Sequence, residues 1–270
     1  MNVVPHWVKA TVRLVPLVSL FSGLSILGLF AFREVVPAAS LKNAGDAVGN
    51  YLQTIGGIYA VLLAFIVFVV WGQFNDSRMC VEREATAIVD LHRTATGLPP
   101  GTRDTIQKAL RAYLDDVVDK EWDAMAHHRE DVMEAVGAHL DHVWAAIHIC
   151  RPSSDCQHTV FGEVLSRYND LSDMRTSRLT SSRARMPLIM KFLLFVGAFI
   201  TISSIYLMVV DPFWVHIVMA GALGGVVAHI LYLIIDLDNA FSGQLQVSKD
   251  AYIRARRTFD RAVHQFDAAA

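Results

Sequence analysis

Four apolar runs punctuate the chain, at residues 14–32, 55–71, 188–210 and 213–235, two before and two after a long charged stretch. Each is about 20 residues long, and at ~1.5 Å rise per residue a helix of that length reaches ~30 Å, the thickness of the hydrocarbon layer. Apart from Lys191, close to one end, none of the runs contains Asp, Glu, Lys or Arg. Backbone polar groups in lipid must be satisfied within the segment, so the runs are expected to be transmembrane helices. The pattern predicts an all-α membrane protein with four transmembrane helices, two plus two, around a helical cytoplasmic domain.

The stretch between the pairs has the period of helices. Val81, Ala85, Ile88, Leu91 and Ala95 continue the second span as one long helix, which Leu98-Pro99-Pro100-Gly101 stops. Thr102 is then the expected N-cap of a helix carrying Ile106, Leu110, Tyr113, Val117 and Met125. Val132, Val136, Leu140, Val143 and Ile147 mark another, ended near Arg151-Pro152. Val160, Val164, Leu165, Tyr168, Leu171 and Met174 mark a third that runs up to Pro187. Tyr252, Phe259, Val263 and Phe266 fall on one side of an amphipathic tail. The chain thus divides into an N-terminal membrane pair (1–74), a helical cytoplasmic domain (75–186), a membrane hairpin (187–235) closed by an Asp211-Pro212 turn, and the tail (236–270).

Composition agrees: 53% of residues are hydrophobic and 19% charged, a bias that comes from the four runs. A formal charge of −2 argues against a nucleic-acid partner, which needs a strong basic excess. The first run exceeds a signal-peptide core and is followed directly by Arg33 and Glu34, so it is expected to be a retained anchor. Lys9, Arg13, Arg78, Arg83, Arg175, Arg178, Arg183, Arg185, Lys249, Arg254, Arg256, Arg257 and Arg261 flank one side of the spans, against Arg33 and Lys42 on the other. By the positive-inside rule, both termini and the middle domain face the cytoplasm of a multi-pass inner (plasma) membrane protein.

Gly57, Tyr59-Ala60-Val61-Leu62-Leu63-Ala64-Phe65, Glu84-Ala85-Thr86-Ala87-Ile88, Leu98-Pro99, Tyr113 and Asp238-Asn239-Ala240-Phe241-Ser242-Gly243 fall in order along the chain. In order, spacing and placement against the spans they resemble the bestrophin-like domain family, mostly bacterial membrane proteins without an established activity. The resemblance covers about residues 50 to 250 and marks Glu84, Asp238, Phe241 and Gly243 as family-motif positions. It implies kinship with bestrophins, pentameric anion channels whose second span lines the pore. Here the second span carries Ile58, Leu62, Phe65 and Val69 along one stripe, continued by Gly72 and with Phe68 nearby, the pore-lining candidates. The chain departs from the pattern at Ala240, where the family usually has Pro. It also has no run of acidic residues after Gly243, so calcium gating of the bestrophin kind is not supported.

Other candidate chemistry is sparse. His229 is an intramembrane ionisable group, while Lys191 is expected to snorkel to the interface. His148, Cys150, Cys156 and His158 are metal-ligand types, but their spacing matches no common zinc signature and a metal there is not expected. His92, His127, His128, His139 and His142 are expected on solvated helix faces. No phosphate-cradling loop, Ser-His-Asp set or His-Glu-x-x-His helix is present, so neither enzymatic activity nor a cofactor is expected. Two functions fit. One is a homo-oligomeric channel for small ions, anions by resemblance, set in membrane lipid. The other is a non-conducting scaffold or stress sensor whose cytoplasmic domain binds a partner.

Overall fold

The computed structural model describes residues 6–267, and every regular element among them is a helix. In chain order these are α1 (His6–Val35), α2 (Ala38–Leu41), α3 (Gly45–Thr94), α4 (Pro100–Asp116), a π-helical turn (Val117–Glu121) and α5 (Trp122–Ala126). Then follow α6 (Glu130–Ile149), α7 (Asp155–Arg183), α8 (Leu188–Ile205), α9 (Phe213–Leu237) and α10 (Asp250–Asp267). Two compact units result. The first comprises Met1–Gly72, Arg185–Asp238 and Gly243–Leu245; the second comprises Gln73–Ala184, Asn239–Ser242 and Gln246–Ala270.

Among the described residues, four helices are long and apolar enough to cross a membrane: α1, α3, α8 and α9. Within the first unit they meet through small residues. Gly221, Gly224 and Gly225 of α9 lie against α1; a Cβ on Gly224 would come 2.7 Å from Ser25 Cβ and 3.2 Å from the Phe21 carbonyl oxygen. The glycine stripe therefore receives a helix of the same chain. Polar groups in this contact are satisfied by backbone: the Ser25 hydroxyl donates to the Ala220 carbonyl at 2.8 Å, and the Tyr206 hydroxyl to the Ser25 carbonyl at 2.8 Å. Opposite Tyr59 of α3, Gly197 of α8 leaves room for the aromatic ring, and the Tyr59 hydroxyl donates to the Leu194 carbonyl at 3.0 Å.

The third span ends at Ile205, not at Val210, and the hairpin connection is the 206–212 link rather than a two-residue turn. The Ser204 hydroxyl folds back onto the Ile200 carbonyl at 2.6 Å, and the amides of Tyr206, Leu207 and Met208 bond three residues back instead of four. Tightening of this kind closes a helix although the following residues are apolar.

In the second unit, the predicted stop after α3 takes the form of a short 3₁₀ turn over Ala95–Gly97. The next helix begins with Pro100 at its first position behind Pro99, so Thr102 lies inside α4 and is not its cap. Pro presets the helical φ and lacks the N–H that would go unpaired there, which moves the cap from Thr102 to Pro99, three residues upstream. Ser154 caps α7, its hydroxyl accepting from the Gln157 amide at 3.3 Å. The core of this unit is a continuous apolar cluster that includes Ile88, Leu91, Leu110, Leu114, Met125, Val143, Leu171, Phe241, Tyr252 and Phe259. Tail helix α10 contributes the face Ala251, Tyr252, Ala255 and Phe259; the side chains of Val263 and Phe266 lie outside the described residues.

Close packing of α9 on α1 makes Gly224 sensitive to size. We expect Gly224→Val to cost about 1–3 kcal/mol through overpacking, while Ala222→Val, on the exposed side of the same helix, costs little. Thermal melting of the detergent-solubilised protein compares the two, and equal melting temperatures would contradict this packing.

Candidate functional site

Two features of α3 bear on function. Along its membrane half, Tyr59, Leu63, Ile66 and Val70 are buried at helical spacing against the first unit. The other side is uncovered: Ile58 is 64% exposed, Phe65 60% and Phe68 75%, with Leu62 and Val69 half-buried at the margins. The predicted stripe thus borders a face that the described residues leave exposed, and Ile58 and Phe65 stand two turns apart on it.

Further along α3, Glu84 is fully buried at the head of an ionic network. Arg178 of α7 donates through Nε to Glu84 Oε2 at 2.6 Å and through Nη2 to Glu84 Oε1 at 3.1 Å and Glu121 Oε2 at 2.7 Å. Arg175, one turn earlier, forks onto Glu121 Oε1 at 3.1 and 2.8 Å and reaches the Met133 carbonyl at 2.5 Å. Tyr113 donates its hydroxyl to Glu84 Oε1 at 2.5 Å, and Met125 Sδ lies 2.9 Å from Arg178 Nη1. The rings of Tyr252 and Tyr113 lie 5.8 Å and 5.7 Å from the Arg178 and Arg175 guanidinium carbons.

Two carboxylates and two guanidiniums cancel, which is how charges persist without water. Burial alone would pull the Arg178 pKa down, but Glu84, Tyr252 and Glu121 hold it well above its ordinary value. Burial is also the main force that pushes Tyr113 and Tyr252 well above the usual tyrosine range, with Glu84 adding to it. Arg178 therefore stays charged, and Tyr113 and Tyr252 stay neutral, across the physiological range.

The segment after α9 is held by its carboxylates. Asp238 accepts the Met186 amide at 2.6 Å and pairs with Lys191 at 2.8 Å, so Lys191 has a buried partner and does more than reach for the interface. Asp236 accepts the amides of Gln244 and Leu245 at 3.0 and 2.8 Å. Gly243 adopts φ +88° against the Asp236 carboxylate, a conformation and a closeness that a side chain would not allow. In the second unit Phe241 is fully buried and meets Trp122 edge-on, with centroids 5.5 Å apart.

The remaining candidates are not brought together. His148, Cys156 and His158 are exposed while Cys150 is buried, and among the described residues no three His, Cys, Asp or Glu side chains group as a metal site. His229 is exposed on α9; the buried imidazole of that helix is His216, near its start. Nor are all the scattered histidines on solvated faces. His92 stacks on Phe259 at 4.0 Å, and His139 bonds Asp116 at 3.0 Å.

Glu121, Arg175 and Arg178 escaped the sequence reading. Arg175 and Arg178 count there as interfacial positive charges, yet both are inside the network. The available signal is that Val164, Leu171, Arg175, Arg178 and Ser182 form the buried stripe of α7, so the arginines occupy core positions.

The four apolar helices define a multi-pass, all-α membrane protein, and a second helical unit holds the ionic network. A family profile for the Bestrophin-like domain matches residues 19–252, and the chain belongs to that family. Its fold matches a crystal structure of a variant of a bacterial bestrophin homologue from Klebsiella pneumoniae, with a TM-score of 0.69 at 14% identity over 92% of this chain and 97% of that one. A second structure of that homologue, phased on zinc, matches with a TM-score of 0.62 at 15% identity over 93% and 97%. The sequence has no match among curated proteins.

Because Arg178 and Glu84 are fully buried, Arg178→Met is expected to cost about 3–5 kcal/mol by leaving Glu84 without a cation, while Glu121 keeps Arg175. Arg254→Met, which removes an exposed partner of Glu82, is expected to cost less than about 1 kcal/mol. Denaturant unfolding of both variants checks the contrast. Similar losses would mean that the network is not the critical ionic contact.

Proposed function

We propose that the chain forms a homo-oligomeric, anion-conducting channel in which α3 lines the pore and Phe65 is part of an apolar constriction. The observation that carries this reading is the uncovered apolar face of α3, with Ile58 and Phe65 more than half exposed while the opposite face is buried. Membership of the Bestrophin-like family supports it. Four apolar spans are too few to enclose an aqueous path, so conduction requires several copies around an axis; five is the number that bestrophin kinship favours. A ring of Phe65 side chains is a dewetting gate, closed by the absence of polar groups rather than by a plug.

In the same proposal the protein is a multi-pass protein of the inner (plasma) membrane with both termini and the second unit in the cytoplasm. Arg175 and Arg178 do not contribute to that orientation, since they are neutralised in the network. Arg78, Arg83, Arg183, Arg185 and the basic residues of α10 still outnumber Arg33 and Lys42 on the other side. A cysteine introduced as Gln107→Cys should resist membrane-impermeant labelling of intact cells, whereas one placed by Ser40→Cys should react. Labelling of Gln107→Cys from outside would invert the orientation.

Phe65→Ala tests the pore directly. At 60% exposure in the single chain, Phe65 fills no internal cavity, so its removal should leave the fold intact. The expected outcome in planar bilayers is a higher basal conductance, with a smaller rise for Leu62→Ala one turn away. A well-folded Phe65→Ala oligomer that conducts no more than the wild type would exclude this pore assignment.

A further inference from the structure

His216 stands where α1, the end of α8 and the start of α9 meet, and its side chain is fully buried. One ring nitrogen, Nε2, lies 2.9 Å from the Ile205 carbonyl, and the other, Nδ1, lies 3.4 Å from Arg33 Nη2. A carbonyl can only accept and a guanidinium can only donate. Nε2 therefore carries the proton and Nδ1 presents its lone pair, and the geometry requires a neutral imidazole. The same Arg33 nitrogen donates to the Met208 carbonyl in the 206–212 link. His216 and Arg33 together thus fasten the end of α1 to the α8–α9 connection.

The surroundings make this contact sensitive to one proton. The charged group that faces His216 is Arg33, from α1; α8 supplies the Ile205 carbonyl, and α9 itself the edge of the Phe213 ring at 6.3 Å. Glu34 on α1 and Asp211 in the link are exposed, and among the described residues no carboxylate pairs with Arg33 or His216. Arg33 Nη1 is buried without a partner. Among the described residues, no acidic side chain is placed to absorb a second positive charge.

We propose that His216 is a proton-operated latch: neutral, it holds the 206–212 link to α1 through Arg33; protonated, it releases the link. Protonation converts Nδ1 from acceptor to donor, so the bond to Arg33 is lost and two cations face each other in a desolvated contact. The direction follows: the latch is closed at neutral and alkaline pH and opens on acidification. The proposal rests on the channel reading only for its consequence, that acid on the non-cytoplasmic side alters ion flux.

Amide hydrogen exchange read by mass spectrometry on the purified full chain in lipid nanodiscs tests the latch without any current. After correction for the intrinsic pH dependence of exchange, amides of the 206–212 link should exchange on the order of tenfold faster at pH 5 than at pH 8. His216→Gln should remove that difference. Arg33→Gln should shrink it, because an amide can donate to a neutral imidazole and accept from a protonated one. Equal exchange at the two pH values in the wild type would overturn the latch, as would a full pH response in either variant. Since exchange is measured whether or not the protein conducts, failure of the latch is distinguishable from failure of the channel reading.

Discussion

Arg178, with none of its side chain exposed, can exist where it does only if both Glu84 and Glu121 reach it. Removing such a charge from water costs several kcal/mol, recovered only through close, well-aligned partners. That requirement draws together α3, α4, the π-helical turn, α7 and α10, each of which supplies a member or a wall of the network. It also gives the π turn a role. The wider turn places Glu121 beside Val117 and Val118 in the buried row, and the Val118 carbonyl is taken up by the Lys249 ammonium at 3.0 Å. A buried network of this kind selects one arrangement of the helices more than it adds stability, because a slip of one residue would strand a charge.

In the membrane unit the governing constraint is the reverse: there is no water to satisfy polar groups and no hydrophobic drive to bring helices together. Small residues substitute for that drive. Gly224 and Gly225 let α1 approach α9, and Gly197 lets the Tyr59 ring reach α8. Hydroxyls of Ser25, Tyr59 and Tyr206 end on backbone carbonyls. These contacts use one side of α3, and among the described residues the side that carries Ile58, Phe65 and Phe68 stays more than half exposed. Phe65 and Glu84 thus belong to one unbroken helix, one facing outward from the chain in the membrane unit and the other locked among charges in the second unit.

Much of the architecture was legible in the sequence because it depends on local rules. The four spans follow from length and apolarity, the extension of the second span from helical period, and the break after it from Pro99 and Pro100. Glu84 was legible as a family-motif position. What stayed hidden depends on tertiary context. Arg175 and Arg178 look like surface charges until α7 is seen to turn them inward, and nothing in local spacing announces a π turn at Glu121. The end of the third span was misplaced because 206–210 are as apolar as the helix before them, and only the backbone pattern closes it. His216 was overlooked for His229 because position within a span does not reveal which side packs.

The channel proposal joins an uncovered apolar helix face to membership of the Bestrophin-like family. An apolar face turned away from its own chain can line a pore in an oligomer or lie against lipid, and the two differ in one observable. Ion flux through the purified wild-type protein, reconstituted into defined proteoliposomes at rising protein-to-lipid ratio, separates them most directly. The account predicts anion flux that grows with the amount of oligomer incorporated. A correctly inserted, oligomeric protein that leaves the vesicles ion-tight would contradict it.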